Sequence, residues 1–212
     1  MIVRPTKRPT LAGRNTAIVI EGFLRSGNTW SVAAFQIANG FDVHIGHHLH
    51  GGAHVRRAVR LGLPTVVLVR EPKDAVSSYL VRRPTLTPDD ALLEYLDFHR
   101  TAWPCRDGFV VVPFARAVSD FGAVTDRVND RFGTSFIRFS GDPASREAAL
   151  ELVEEMNRRE CHGEVVETHV GRPSVAREQR KAEVRRLMDR PRTQALLAQA
   201  DEIYAAYVAR GE

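Results

Sequence analysis

The chain has 212 residues, 43% of them apolar and 26% charged, which is enough for one core of ordinary globular make-up and excludes fibrous, disordered and miniprotein classes. Lys and Arg total 30 against 26 Asp and Glu, so the net charge of +4 leans toward anionic partners without the Lys blocks of a nucleic-acid tail. Two cysteines argue against a disulfide scaffold, and the basic lead Met1 to Arg14 is followed by too short an apolar run for a signal peptide or membrane span; a cytoplasmic protein is expected.

After that lead, Thr16 to Glu21 is a β-branched apolar run closed by a glycine, the pattern of a buried parallel strand. Ser26-Gly27-Asn28-Thr29 signals a helix running to Asn39-Gly40, and a second strand is predicted around Phe41 to Ile45. A His-rich turn, a short helix from Val55 to Leu61 stopped by Gly62, and the clear strand Thr65 to Val69 follow. Pro72 is placed to open a helix over Lys73 to Arg82, and Thr87-Pro88-Asp89-Asp90 starts the next with a capping Thr and acidic residues in its first turn. Phe109 to Val112 reads as a fourth strand and Val118 to Phe132 as an amphipathic helix; from Asp142 the chain is helical, broken near 161–163, 171–173 and 190–191. Strands alternating with helices predict an α/β fold, a P-loop-type parallel β-sheet with helices on both faces and a helical C-terminal third. A single domain is expected: a basic lead over 1–15, an α/β core over 16–140 and a helical part over 141–212. Ligands in such folds sit beyond the carboxyl ends of the strands, so the segments after Ile20, after the second strand and after Val69 carry the interest.

Gly22-Phe23-Leu24-Arg25-Ser26-Gly27-Asn28-Thr29 has the spacing of a phosphate-binding loop between strand and helix. Asn28 stands where a nucleoside triphosphatase needs Lys, a cation stands three positions earlier as Arg25, and the strand Thr65–Val69 ends in Arg70 rather than an acid that would hold Mg²⁺. The pattern suits an anion met by protein cations. The alternatives are a P-loop enzyme of nucleotide-dependent phosphoryl transfer, or a helix cap with two turn glycines and no ligand.

Arg70-Glu71-Pro72-Lys73-Asp74, with Ser78 further on, places a cation and a hydroxyl where both reach one anion. Together, these two segments resemble the sulfotransferases that use 3′-phosphoadenosine 5′-phosphosulfate (PAPS). Phe23 to Trp30 is similar to the family's Y-P-K-S-G-T-T-W loop, and Arg70 to Asp74 with Ser78 is similar to its R-N-P-K-D…S signature. The resemblance implies transfer of a sulfuryl group to a hydroxyl or amine of a small molecule, with adenosine 3′,5′-bisphosphate as product and no metal required. It puts Arg25 at the catalytic Lys, Ser26, Gly27, Asn28 and Thr29 around the 5′-phosphosulfate, Trp30 near adenine, and Arg70 and Ser78 on the 3′-phosphate. Arg172, in Gly171-Arg172-Pro173-Ser174, or the basic run Arg177 to Lys181, is the loose counterpart of the family's C-terminal R-K-G-x-x-G stretch; Phe114 falls where many members carry Tyr, and the chain is shorter than typical members. The chemistry agrees independently: a sulfuryl group in flight carries less charge than a γ-phosphoryl, so side-chain cations and N–H donors can serve it. Arg25 keeps the charge but donates no proton outright at neutral pH, and Lys73 is a candidate auxiliary cation.

Five of the eight histidines, His44, His47, His48, His50 and His54, fall within eleven residues. Imidazole is a general base near neutral pH without any shift. The resemblance places the family's base at His48, with His50 second; at least three of the five are expected to line a loop facing solvent or acceptor. A metal site is the competing reading, although H-x-x-H-H-x-H lacks a nearby Cys or a clustered second carboxylate. Cys105 reads as a structural thiol, the C-terminal Arg residues as a solvated helix face, and the apolar stripe over Thr193 to Val208 as core or a homodimer surface. Phe35, Tyr95, Phe98 and Trp103 are candidates for an acceptor pocket. A relative that binds the nucleotide without turnover is the non-enzymatic alternative.

Overall fold

The computed structural model of the protein describes residues 9–163 and 175–211. The strands β1 (Ile18–Gly22), β2 (Ile45–His47), β3 (Thr65–Val69) and β4 (Val110–Pro113) form one parallel sheet in the order β2-β1-β3-β4. The helices are α1 (Asn28–Asn39), α2 (Gly52–Arg60), α3 (Pro72–Arg82), α4 (Pro88–Ala102), α5 (Phe114–Ser119), α6 (Phe121–Phe132), α7 (Pro143–Glu160), α8 (Val175–Arg186) and α9 (Pro191–Gly211), with a 3₁₀ segment over Trp103–Gly108. The predicted α/β class, with helices on both faces of a parallel sheet, is what the chain adopts.

Successive strand residues point to opposite faces, and the sorting is visible in the core. Ile18, Ile20, Val66, Leu68, Val110 and Val112 pack with α1, α6 and α7, whereas Val67, Val69 and Val111 pack with α3, α4 and α9. Both faces are covered, so the strands read as continuous apolar runs. Glu21 interrupts that rule: it lies in β1 with 0% exposure.

Some boundaries depart from expectation. The second strand starts at Ile45 and takes in His47, because its ladder begins where β1 offers partners, Ile18 opposite Ile45 and Ile20 opposite His47. The outer edge of β2 is covered by Thr10, whose N–H donates to His47 O at 2.9 Å while His47 N–H donates back at 3.0 Å. The helix predicted over Val118 to Phe132 is two, α5 and α6, separated at Asp120, which leaves helical geometry at φ −146° and caps α6 by accepting from Ala123 N–H at 3.0 Å. Thr87 caps α4 as expected, accepting from Asp90 N–H at 3.2 Å.

Because β1 lies between β2 and β3, the loops leaving these three strands sit side by side, the crevice position of open α/β sheets. At the exit of β1 a Cβ on Gly22 would lie 2.6 Å from Leu68 O, so only glycine lets β1 approach β3 this closely. Among the described residues no helix is long and apolar enough to cross a membrane.

Candidate functional site

The loop leaving β1 is anchored from below by Phe23, buried edge-on against Tyr79 and Tyr95 at centroid separations of 5.6 and 5.1 Å. It then turns through left-handed backbone at Arg25 (φ 68°) and Gly27 (φ 95°) before α1 begins. A non-glycine residue in that region is held by its surroundings at a cost of about 1 kcal/mol or more, and such positions concentrate at functional sites. Asn28 braces the turn, its Nδ2 donating to Phe23 O at 3.1 Å and Gly22 O at 3.4 Å. The residue in the place of a P-loop Lys therefore supports the loop, with only its backbone N–H left to face an anion.

The start of α1 has neither a side-chain cap nor an acidic residue in its first turn. α2 and the short α5 also start without either, whereas α3, α4, α6 and α7 are capped by Glu71, Thr87, Asp120 and Asp142. The leading N–H groups of α1 thus keep their capacity for an anion, reinforced by the helix dipole. Beside them Ser26 Oγ is buried without a hydrogen-bond partner among the described residues.

The end of β3 closes against this loop through two reciprocal bonds. Arg25 Nε donates to Ser78 Oγ at 3.0 Å, and Arg70 Nη1 donates to Arg25 O at 2.9 Å. Arg70 is fixed further by Asp74 at 3.2 Å and by the Phe114 ring, 4.1 Å beneath its guanidinium, while its Nε is buried without a partner among the described residues. Tyr95 donates to Arg70 O at 2.8 Å, holding the strand end from the core side. Phe114 also fills the space above Gly27, where a Cβ would meet the ring at 3.2 Å. Burial raises the Asp74 carboxyl, but Arg70 beside it, with Lys181 and Arg185 behind, outweighs this and holds it below its ordinary value. Arg185 is in direct contact with Asp74, and Lys181 is buried and paired with Glu178 at 2.7 Å. The C-terminal basic run is therefore not a solvated face throughout, because α8 packs on α3 and delivers two cations to the Arg70 side of the site.

The histidine segment runs from just before β2 into α2. His47, His48 and His54 are buried, His50 is partly exposed and His44 exposed, so these side chains do not mainly line a solvent-facing loop. His48 and His50 join Arg25 in left-handed backbone, at φ 60° and 53°. His48 Nε2 lies 3.1 Å from Thr29 Oγ1, and its Nδ1 lies 2.7 Å from His47 Nδ1, so one nitrogen of that pair carries a proton. Burial, with His54 and His50 nearby, outweighs Glu21 and pulls His47 down to about 4, leaving it neutral at pH 7. His50 Nδ1 donates to Gly22 O at 2.9 Å, which leaves Nε2 as the lone-pair nitrogen of its neutral ring.

Glu21, which sequence reasoning took as the end of a strand, organises this segment. Its carboxylate accepts from Leu49 N–H at 2.8 Å, His50 N–H at 3.1 Å and His54 Nδ1–H at 3.1 Å. His54 is fixed in that tautomer because its Nε2 accepts from Ala12 N–H at 2.9 Å. The one signal for Glu21 in the sequence was a charged residue inside an apolar run.

The structure thus brings together Arg25, Ser26, Gly27, Asn28, Thr29, Arg70, Ser78, His48 and His50. Arg172 lies outside the described residues. Trp30 donates to Ala117 O at 3.0 Å, meets Phe139 edge-on and has the Arg146 guanidinium 5.5 Å from its ring. Lys73 stands near Asp201 of α9, whose carboxyl burial and Glu71 push up and Lys73 pulls down. Phe35, Tyr95 and Phe98 are core residues rather than pocket walls. Cys105 donates to Ala102 O at 3.1 Å, and burial raises its thiol, which disfavours the nucleophilic thiolate. Among the described residues no group of three or more His, Cys, Asp or Glu is arranged to hold a metal ion.

The donor set fits a nucleotide with separated anionic groups: among the described residues the buried donors without a partner include Ser26 Oγ–H and Arg70 Nε–H, on the two facing loops, and Ser31 Oγ–H in the first turn of α1, and each wants an acceptor. No known family model matches the chain, and no curated protein matches it in sequence.

Proposed function

We propose that this protein is a PAPS-dependent sulfotransferase acting on a hydroxyl or amine of a small molecule. The observation that carries the reading is the clasp of Arg25, Ser78 and Arg70 around an uncapped helix start, with buried donors left unpaired on both loops. PAPS supplies the sulfuryl group. Ser26, Gly27, Asn28 and Thr29 would hold the 5′-phosphosulfate through backbone N–H groups and hydroxyls, and Arg70 with Ser78 would hold the 3′-phosphate. The acceptor gives up its proton to His48 as its oxygen or nitrogen bonds to sulfur, and the bond from sulfur to the 5′-phosphate oxygen breaks in line. Arg25 stabilises the charge growing on that oxygen electrostatically. Neutral His47 can accept from His48 Nδ1–H, which puts the His48 lone pair on Nε2, toward Thr29. In this reading the cations carry the charge compensation that Mg²⁺ provides in phosphoryl transfer. The protein would work in the cytoplasm.

A second assignment of the base rests on His50, whose Nε2 has no hydrogen-bond partner among the described residues and whose ring lies 5.5 Å from that of His48.

Calorimetry with adenosine 3′,5′-bisphosphate tests the function. Tight binding is expected to fall by about tenfold to a hundredfold in Arg70→Ala, the loss of a charged hydrogen-bonded pair. AMP binding as tightly as the bisphosphate would overturn the proposal, and Mg²⁺-dependent binding of ATP would turn it toward phosphoryl transfer.

A further inference from the structure

At the opposite ends of the strands from the phosphate loop, a cavity of about 490 Å³ opens beside the amino end of β4. Four arginines line it, Arg106, Arg127, Arg131 and Arg210, with Asp130 as the one acid among the lining residues. Arg127 Nη1 donates to Val111 O at 3.3 Å, on the outer edge of β4, beyond which no further strand pairs among the described residues. Arg106 Nη1 donates to Trp103 O at 3.3 Å with its guanidinium 4.9 Å from the Trp103 ring, and Arg131 donates to the backbone carbonyl of Asp107. Among the described residues Arg210 is the one of the four that meets a carboxylate, that of Asp107.

The manner of anchoring matters. Arg106, Arg127 and Arg131 are held by neutral carbonyls and have no ion-pair partner among the described residues, so they are oriented without being neutralised. Each guanidinium carries five N–H donors, of which the anchoring bonds use only part. Like charges gathered round one cavity repel each other, and Asp130 with the Asp107 carboxylate offsets only part of the four cations, so further counter-charge is favoured there. A cavity of this size exceeds what a lone tetrahedral anion fills and lies in the range of small-ligand sites of about 300 to 1,000 Å³. Phe109 and Val110 give it an apolar floor for a carbon skeleton.

We propose that this basin is a second anion site, separate from the phosphate loop, for a small organic molecule carrying two or more phosphate or sulfate ester groups. Guanidinium forks match tetrahedral oxyanions of either kind, and several of them around one cavity suit a ligand with several such groups. The assignment does not depend on the sulfotransferase reading.

Calorimetry on the full chain with two probes, fructose 1,6-bisphosphate for phosphate esters and a sulfated disaccharide for sulfate esters, separates the sources. At least one probe is expected to bind, with affinity retained in Arg70→Ala and weakened about tenfold in Arg127→Ala and in Arg131→Ala. Arg131 is exposed, so its variant carries the test if Arg127→Ala fails to keep the native unfolding midpoint. The proposal is overturned if neither probe gives heat at about 10 mM, if Arg131→Ala binds like the parent, or if Arg70→Ala abolishes the signal. Competition by duplex DNA at far lower concentration would overturn it in favour of a nucleic-acid surface.

Discussion

Arg25, His48 and His50 share an unusual property, left-handed backbone at a residue with a full side chain. Each is held by side-chain bonds: Arg25 to Ser78, His48 to Thr29 and His47, His50 to Gly22 O. Strain retained at three residues on neighbouring loops is reason to place the chemistry there. The two imidazoles differ in what they leave open, and that difference is testable. With a simple phenol as acceptor and bisphosphate release as the readout, His48→Asn is expected to lower the rate by about a hundredfold or more. His50→Asn is expected to cost less than tenfold; the reverse ranking would move the base to His50. Arg70 works structurally as well as electrostatically, since its guanidinium joins the two loops through Arg25 O.

At the scale of elements, the connection from β2 to α2 is shaped by one buried charge. Three backbone N–H groups, those of Gly22, Leu49 and His50, and one imidazole N–H converge on Glu21, so the left-handed segment is tied to the end of β1 and the histidines face the phosphate loop. A buried carboxylate is stable only with such a donor set. Glu21→Gln keeps the volume but turns an amide N–H₂ toward donors. A loss of about 2 to 3 kcal/mol in urea unfolding is expected, with faster amide exchange at Leu49 and His50 than elsewhere. An unchanged exchange pattern would show that Glu21 does not order this segment. The helix starts differ as well: four carry side-chain caps, whereas α1, like α2 and α5, starts without one, and α1 does so beside Arg25 and Ser26.

For the whole molecule, buried histidines set a dependence on pH. His99 is fully buried among Tyr95, Phe98 and Tyr207, donates from Nδ1 to Tyr95 O at 2.8 Å, and has no partner at Nε2 among the described residues. Burial takes it from 6.5 to about 4, outweighing that bond. The unfolded chain gains a proton below pH 6.5 while the folded chain refuses it until about 4. His99 thus contributes its full stability above that window, and the contribution falls as pH drops through it. The expected loss between pH 7.5 and pH 5 is about 2 kcal/mol from this residue. His47, also pulled down to about 4, acts in the same direction. Urea unfolding at both pH values checks this. His99→Leu is expected to recover about 2 kcal/mol of the drop, because Tyr95 O keeps its helical bond; an unaltered drop would put the titration elsewhere.

Much of the architecture was legible along the chain because its signals are local. β-branched runs marked β1, β3 and β4, Thr87-Pro88 marked the start of α4, and the spacing of Gly22, Gly27 and Arg70 marked two loops at strand ends. These follow from short-range sterics, hydrophobic period and cap chemistry, which a sequence carries without reference to distant residues. What sequence could not contain was decided by sheet order and helix packing. Placing β1 between β2 and β3 put Arg25 on Ser78 and His48 on Thr29, 53 and 19 residues apart. Packing of α8 carried Arg185 to Asp74 across 111 residues, and the fold gathered Arg106, Arg127, Arg131 and Arg210 beside β4. Long-range contacts depend on which surfaces the core buries together, so the residue types were written in the sequence and their partners were chosen by the tertiary fold.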